Sequence, residues 1–241
     1  MRIDKFISEC GLASRRECAQ AAKRGLVLVD GAPVRDVSVH IDPDRQSVSY
    51  LGTPVKYNKY VYVMLNKPQG YVSATEDSSL PVVTELLPDD LRRKGLFPVG
   101  RLDRDTTGLM ILTNNGVLAH ALLSPKHHVA KRYFATFAEP MRAGAEAEFR
   151  HGVTLADGYE CKSAEILCSP DRMGAEITLT EGKYHQIKRM AGAMGNRVVT
   201  LTRLSFSDIT LDSDLELGHW RYLTDCEIAS LISAAPESRR G

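Results

Sequence analysis

Apolar positions near the start of the chain recur at helical spacing. Ile3, Phe6, Ile7 and Cys10 mark one face of a helix that Gly11 ends. Ser14-Arg15-Arg16-Glu17 has the S-x-x-E form of a capping box, with Ser14 as N-cap and Glu17 three residues on. The spacing predicts a second helix to about Arg24, stopped at Gly25. Residues 26–29 are apolar and strand-like. Asp30-Gly31 is a strong turn signal, and Val37, Val39 and Ile41 then alternate as the far arm of a hairpin. Residues 1–43 therefore read as a small unit of two helices and a hairpin. Pro43, Gly52 and Pro54 among polar residues place a linker at 44–59.

From Tyr60 the pattern changes. Strands are expected at 60–65, 109–113, 131–137, 175–180 and 197–204. Helices are expected at 117–123, 142–150, 184–194 and 225–234. Thr224-x-x-Glu227 is a second capping box, opening the last of these. Strands and helices do not alternate regularly, which favours an α+β fold with a mixed or antiparallel sheet over a doubly wound one. The second domain is set at 60–234, followed by a frayed tail at 235–241.

The 241 residues carry a net charge of +1, but the charge is unevenly spread. Residues 1–35 hold seven basic against four acidic residues, and residues 181–203 hold five against one. Such islands suit local contact with a polyanion, although solvated helix faces would look the same. The five cysteines are odd in number and form no C-x-x-C, so they read as small apolar residues in a reducing compartment. No run approaches 18 apolar residues and no signal core opens the chain; the expectation is a cytoplasmic protein without a membrane span.

Three stretches carry candidate chemistry. Gly100-Arg101-Leu102-Asp103-Arg104-Asp105-Thr106-Thr107-Gly108 precedes an apolar strand, a good way to present a carboxylate beside basic groups. Arg101 and Arg104 suit phosphates, and Asp103 or Asp105 suits a nucleophile or base. The same residues would also make a salt-bridged turn. Residues 124–133 lead through Lys126, His127, His128, Lys131 and Arg132 into a strand bearing Tyr133, an aromatic amid cations on which a base can stack. Adjacent histidines on an extended segment point to opposite faces, so a metal is not expected. Glu181-Gly182-Lys183-Tyr184-His185-Gln186-Ile187-Lys188-Arg189-Met190 begins a helix, with Tyr184 and Lys188 four apart on one flank. A lysine there can pair with a carboxylate from another loop and hold it ionised.

Together with Asn66-Lys67-Pro68-Gln69-Gly70-Tyr71, these stretches resemble the pseudouridine synthases of the small-subunit ribosomal RNA type, in order and separation. Residues 1–31 resemble an S4-type RNA-binding domain, with Leu26 standing where many relatives have Arg. The resemblance covers about residues 1–233. It implies an S4-like module joined to a catalytic domain with a curved, largely antiparallel sheet. It implies Asp103 as catalytic aspartate, Tyr133 as the tyrosine stacking on the target base, and Lys188 as the basic partner of the aspartate. Ser14, Arg15, Arg16, Lys23 and Arg24, with Lys67, Arg101, Lys131 and Arg189, are the implied RNA contacts. Asp105 has no implied catalytic role. The expected reaction is isomerisation of one uridine in ribosomal RNA, of the small subunit by preference over the large. The expected partner is that RNA or a small-subunit precursor, and the protein is expected to act as a monomer. Neither G-x-x-x-x-G-K-[ST] nor G-x-G-x-x-G occurs, and no cofactor or metal is expected. Two rivals are a catalytically silent RNA-binding or assembly factor and a glycoside hydrolase using Asp103 with Asp105. The second is undercut by carboxylates only two residues apart.

Overall fold

The computed structural model describes residues 1–43, 45–55 and 60–235. The chain divides into two compact units, Met1–Val61 with Pro88–Gly95, and Tyr62–Leu87 with Leu96–Gly241.

In the first unit α1 (Ile3–Glu9) and α2 (Arg15–Lys23) precede β1 (Val27–Val29), β2 (Ala32–Pro33), β3 (Val48–Tyr50) and β4 (Thr53–Pro54). The capping box forms: Glu17 N–H donates to Ser14 Oγ at 3.3 Å, and Ser14 N–H donates to the Glu17 carboxylate at 2.7 Å. Asp30 and Gly31 have φ of 50° and 79°, the positive pair that turns β1 tightly into β2. Ile3, Phe6, Ile7, Cys18, Ala22 and Val27 are buried together as the core.

Two expectations fail here. Residues 37–41 are not the arm of a hairpin. The carbonyls of Val39 and Val37 instead accept from the Ile3 and Asp4 N–H groups, both at 3.1 Å. Those are first-turn donors of α1 that no helical carbonyl can reach, so the backbone of 37–41 is taken up in capping a helix. Nor is 44–59 a linker. β3 and β4 lie within its span and complete an antiparallel sheet of order β2-β1-β3-β4, with Val48 buried. Residues 44 and 56–59 of that expected linker lie outside the described residues, as do 236–241 of the expected tail.

The remaining elements are β5 (Tyr62–Lys67), a 3-10 turn at Val83–Leu86, α3 (Asp89–Arg92, grouped with the first unit), β6 (Phe97–Pro98), β7 (Thr107–Thr113), α4 (Gly116–Leu123), β8 (Lys131–Phe137), α5 (Ala145–His151), β9 (Glu165–Cys168), β10 (Gly174–Leu179), α6 (Gln186–Ala193), β11 (Val198–Phe206), β12 (Ile209–Thr210), β13 (Trp220–Tyr222) and α7 (Asp225–Ala234). Nine strands of the second unit form one sheet, β13-β5-β7-β11-β8-β10-β9, with β6 added to β7 and β12 to β11. Its pairings are antiparallel except that of β7 with β11. The mixed, mainly antiparallel α+β architecture expected from the sequence is thus present.

Every residue of β5 is buried, because strands flank it on both sides and Met64 packs with Leu109, Ile111, Leu118, Leu122 and Leu231. Each such aliphatic side chain contributes roughly 1.5–3 kcal/mol on burial. Where β7 meets β11, Gly108 lies opposite Arg203 with φ of 97°. A Cβ there would stand 2.4 Å from the Arg203 carbonyl oxygen and 2.8 Å from its nitrogen, so only glycine lets the strands approach.

Candidate active site

The loop before β7 is held in place by the stretch that follows β5. Lys67 is fully buried, and its Nζ donates to three carbonyls: Pro68 at 3.0 Å, Arg104 at 3.3 Å and Thr106 at 2.9 Å. The Gly70 N–H donates to the Arg104 carbonyl at 2.9 Å. Ser73 Oγ donates to the Leu102 carbonyl at 2.7 Å and accepts from the Leu102 N–H at 2.9 Å. Leu102 is buried as a plug. The loop therefore cannot drift, and Asp103 is presented at a fixed position with its side chain 26% exposed.

Asp103 faces α6. Lys188 Nζ lies 3.1 Å from Asp103 Oδ2 and 2.6 Å from Asp105 Oδ1. Burial works against the Lys188 charge, but hydrogen bonds to Asp105 and Asp103 outweigh it and raise its pKa. The hydrogen bond from Lys188 in turn holds Asp105 below the usual carboxylate range. His185 Nε2 stands 3.6 Å from Asp103 Oδ1. One ammonium thus serves two carboxylates, of which Asp105 is much the more exposed. Nothing in the local sequence brings Asp105 to this lysine. Tyr184 also departs from expectation: α6 begins at Gln186, and His185 before it has φ of 49°, so Tyr184 lies outside the helix.

Tyr133, on β8, is nearly buried and lines the same cleft of about 1530 Å³ as Asp103, Lys188, Arg101 and Lys131. Directly opposite Tyr133 on β11 is Arg203, and opposite Arg203 on β7 is Gly108. Arg203 is buried, donates through Nε to the Leu109 carbonyl at 2.6 Å, and lies beside Tyr133 in the sheet. Burial lowers its pKa, an effect opposed by Tyr133. Arg203 therefore braces β7 just beyond the Asp103 loop, next to Tyr133 on β8. Its signal in the sequence is a lone cation among the alternating residues of β11, outside the motifs named above.

The other expected RNA contacts divide. Arg15, Arg16, Lys23, Arg24 and Arg101 are exposed. Lys131 is partly buried, donates to the Val129 carbonyl at 2.9 Å, and is pushed down to about 8 by burial. Lys67 cannot contact RNA, because its ammonium is enclosed by the loop it clamps. Ser14 spends its hydroxyl on the cap of α2, donating to Glu17 at 2.7 Å. Arg189 is paired with Asp157. Among the described residues no group of three His, Cys, Asp or Glu is placed to hold a metal ion, and no helix is long and apolar enough to cross a membrane.

The family model for RNA pseudouridylate synthases matches residues 61–193, and that for the S4 domain matches residues 1–46. The chain is 45% identical over 231 residues to the uncharacterized RNA pseudouridine synthase YtzG of Bacillus subtilis, covering 95% of this chain and 97% of that protein. It is 39% identical over 233 residues to the ribosomal small subunit pseudouridine synthase A of Escherichia coli, covering 96% and 100%. A crystal structure of a pseudouridylate synthase superposes with a TM-score of 0.68 at 36% identity, covering 96% of this chain and 99% of the other. The chain belongs to the RNA pseudouridylate synthase family, and its first residues form an S4 domain.

Proposed function

We propose that this enzyme converts one uridine of small-subunit ribosomal RNA to pseudouridine, with Asp103 as its catalytic carboxylate. The reaction breaks the N–C glycosidic bond, turns the base and forms a C–C bond; a proton leaves the ring carbon and one is taken up at nitrogen. No redox change or external nucleotide is needed. One carboxylate suffices, by covalent attack or by assisting elimination. The observation that carries the reading is Asp103, fixed by its loop and 3.1 Å from the Lys188 ammonium, in one cleft with Tyr133. Lys188 sets a positive charge against the carboxylate and orients it. Tyr133 offers a face to a base turned out of its stack, and Arg203 lies beside it on β11. The choice of small-subunit RNA is supported by the name of the Escherichia coli relative, aligned over its full length. The place of action is then the cytoplasm, where that RNA is assembled. Pseudouridine mapping of ribosomal RNA from cells with and without the protein tests the reading. One site should vanish from the small-subunit RNA; loss from the large-subunit RNA, or no loss, would overturn it.

Arg15, Arg16, Lys23 and Arg24 serve as phosphate ligands of the S4 domain. Replacing all four by Gln should flatten the dependence of log affinity on log salt by about 0.7–0.9 for each phosphate that is no longer neutralised. An unchanged slope in filter-binding titrations would mean that these residues do not grip RNA.

A further inference from the structure

Tyr184 stands at the mouth of the cleft and has no role in the chemistry above. It is 72% exposed, unusual for an aromatic ring in a functional cleft, where such surface is normally covered. One face of the ring lies on His185, with centroids 3.8 Å apart and planes within 19° of parallel. The other face is open. His185 pays for this arrangement with φ 49° and ψ 34°, a left-handed conformation that a side-chain-bearing residue rarely adopts and that functional sites retain. The bend has two results. It keeps Tyr184 off α6, and the imidazole meets the tyrosine ring with its face and Asp103 with its Nε2 edge, 3.6 Å from Oδ1. The rings thus form a two-layer stack whose outer layer, Tyr184, is exposed.

We propose that the open face of Tyr184 is the stacking platform for the base next to the target uridine, and so a binding and positioning contact for that neighbour. This rests on the uridine-isomerising reading of the cleft. A strand that turns one base inward leaves its neighbours at the entrance, unstacked and in need of a new partner. The target base is assigned above to Tyr133 and Asp103, which leaves the exposed ring of Tyr184 for a neighbour. A π-face accepts any base, and purines best, with exposed Arg101 and Lys183 on the same cleft wall to meet phosphates.

The test uses the full-length protein and a short RNA carrying the modified uridine, with 2-aminopurine placed first on its 5′ side and then on its 3′ side. The wild-type protein and Tyr184→Phe should quench the fluorophore at one of the two positions, and Tyr184→Ala should not. On unlabelled RNA, Tyr184→Ala should lower kcat/KM by about 5- to 150-fold, the range for removal of a base–aromatic stack. On RNA abasic at that neighbouring position the wild type should fall to the Tyr184→Ala level, and the substitution should then have no further effect. Equal quenching by all three proteins, no quenching by the wild type at saturation, or an equal loss on the abasic RNA overturns the platform. Quenching requires no turnover. An RNA that is bound and quenched but never isomerised would count against the proposed reaction while leaving the platform in place.

Discussion

Asp103→Asn abolishes isomerisation, lowering turnover by at least about 10,000-fold, the scale seen when a covalent catalyst is removed from an active site. RNA affinity stays within a few-fold. The geometry makes this substitution a clean one. Asparagine fits the same space, and the loop is held through backbone carbonyls and Ser73, none of which involve the Asp103 carboxylate. Lys188 keeps its place as well, because Asp105 holds it at 2.6 Å. The drop in rate therefore reports on the carboxylate and not on a collapsed neighbour. Asp105→Asn provides the contrast: it removes a mostly exposed ion pair and should lower turnover by less than about fivefold. Single-turnover kinetics on the mapped RNA decide the matter. An active Asp103→Asn enzyme, or an Asp105→Asn enzyme equally dead, would remove Asp103 from the role assigned to it.

Lys67→Met is the second large effect. Methionine fills the volume but leaves the Pro68, Arg104 and Thr106 carbonyls without their shared donor. Loss of stability on the order of 3 kcal/mol follows from stranding buried acceptors. Turnover should fall about 100-fold, the effect of displacing a catalytic group by an ångström or so. The two proteins should also differ in their response to pH. Burial pushes the Lys67 ammonium down from 10.5 to about 8. Between those values the unfolded chain holds a proton that the folded chain has released, so wild-type stability rises with pH across that window. Below pH 8 both states are protonated and the burden of the buried charge is constant. The stability gap between wild type and Lys67→Met should therefore widen by about 1.5 kcal/mol from pH 8 to 9.5. Denaturant melts followed by Trp220, which pairs with Leu65 two residues from Lys67, read this directly. A gap that narrows over that range would mean Lys67 does not titrate there.

The fold was legible where elements are long enough to repeat a pattern. β8 and α7 begin and end where the periodicity placed them, and both capping boxes form. Strands of two to four residues, such as β9 and β13, escaped because alternation over so few positions is indistinguishable from loop. The short β3 and β4 were hidden for the same reason, in a stretch whose Pro43, Gly52 and Pro54 suggested a linker. Residues 37–41 do alternate, but a neighbouring helix terminus claimed their carbonyls, a tertiary demand that no local pattern encodes. In the cleft, Asp103, Tyr133 and Lys188 were singled out by the resemblance of their motifs to the family, and the fold brings all three to one cavity. Lys67 was misplaced because a lysine's charge argues for exposure. Its position just after the apolar run of residues 61–65 was the better guide. Arg203 and Asp105 gain their significance from register and from a loop's path, neither of which is written locally.

The position of β5 has a consequence for the order of events on the ribosome that makes this protein. One flank of β5 is closed by β13, and the Asn66 side chain donates to the Leu215 carbonyl, 149 residues later in the chain. Until that late segment emerges, the strand ending in Lys67 presents an open edge, and the clamp on the Asp103 loop has only half its support. The S4 domain closes its own sheet within the first sixty or so residues. A nascent chain can thus own a finished RNA grip well before it owns a finished catalyst, and a long-range pairing of this kind is the slow step of folding.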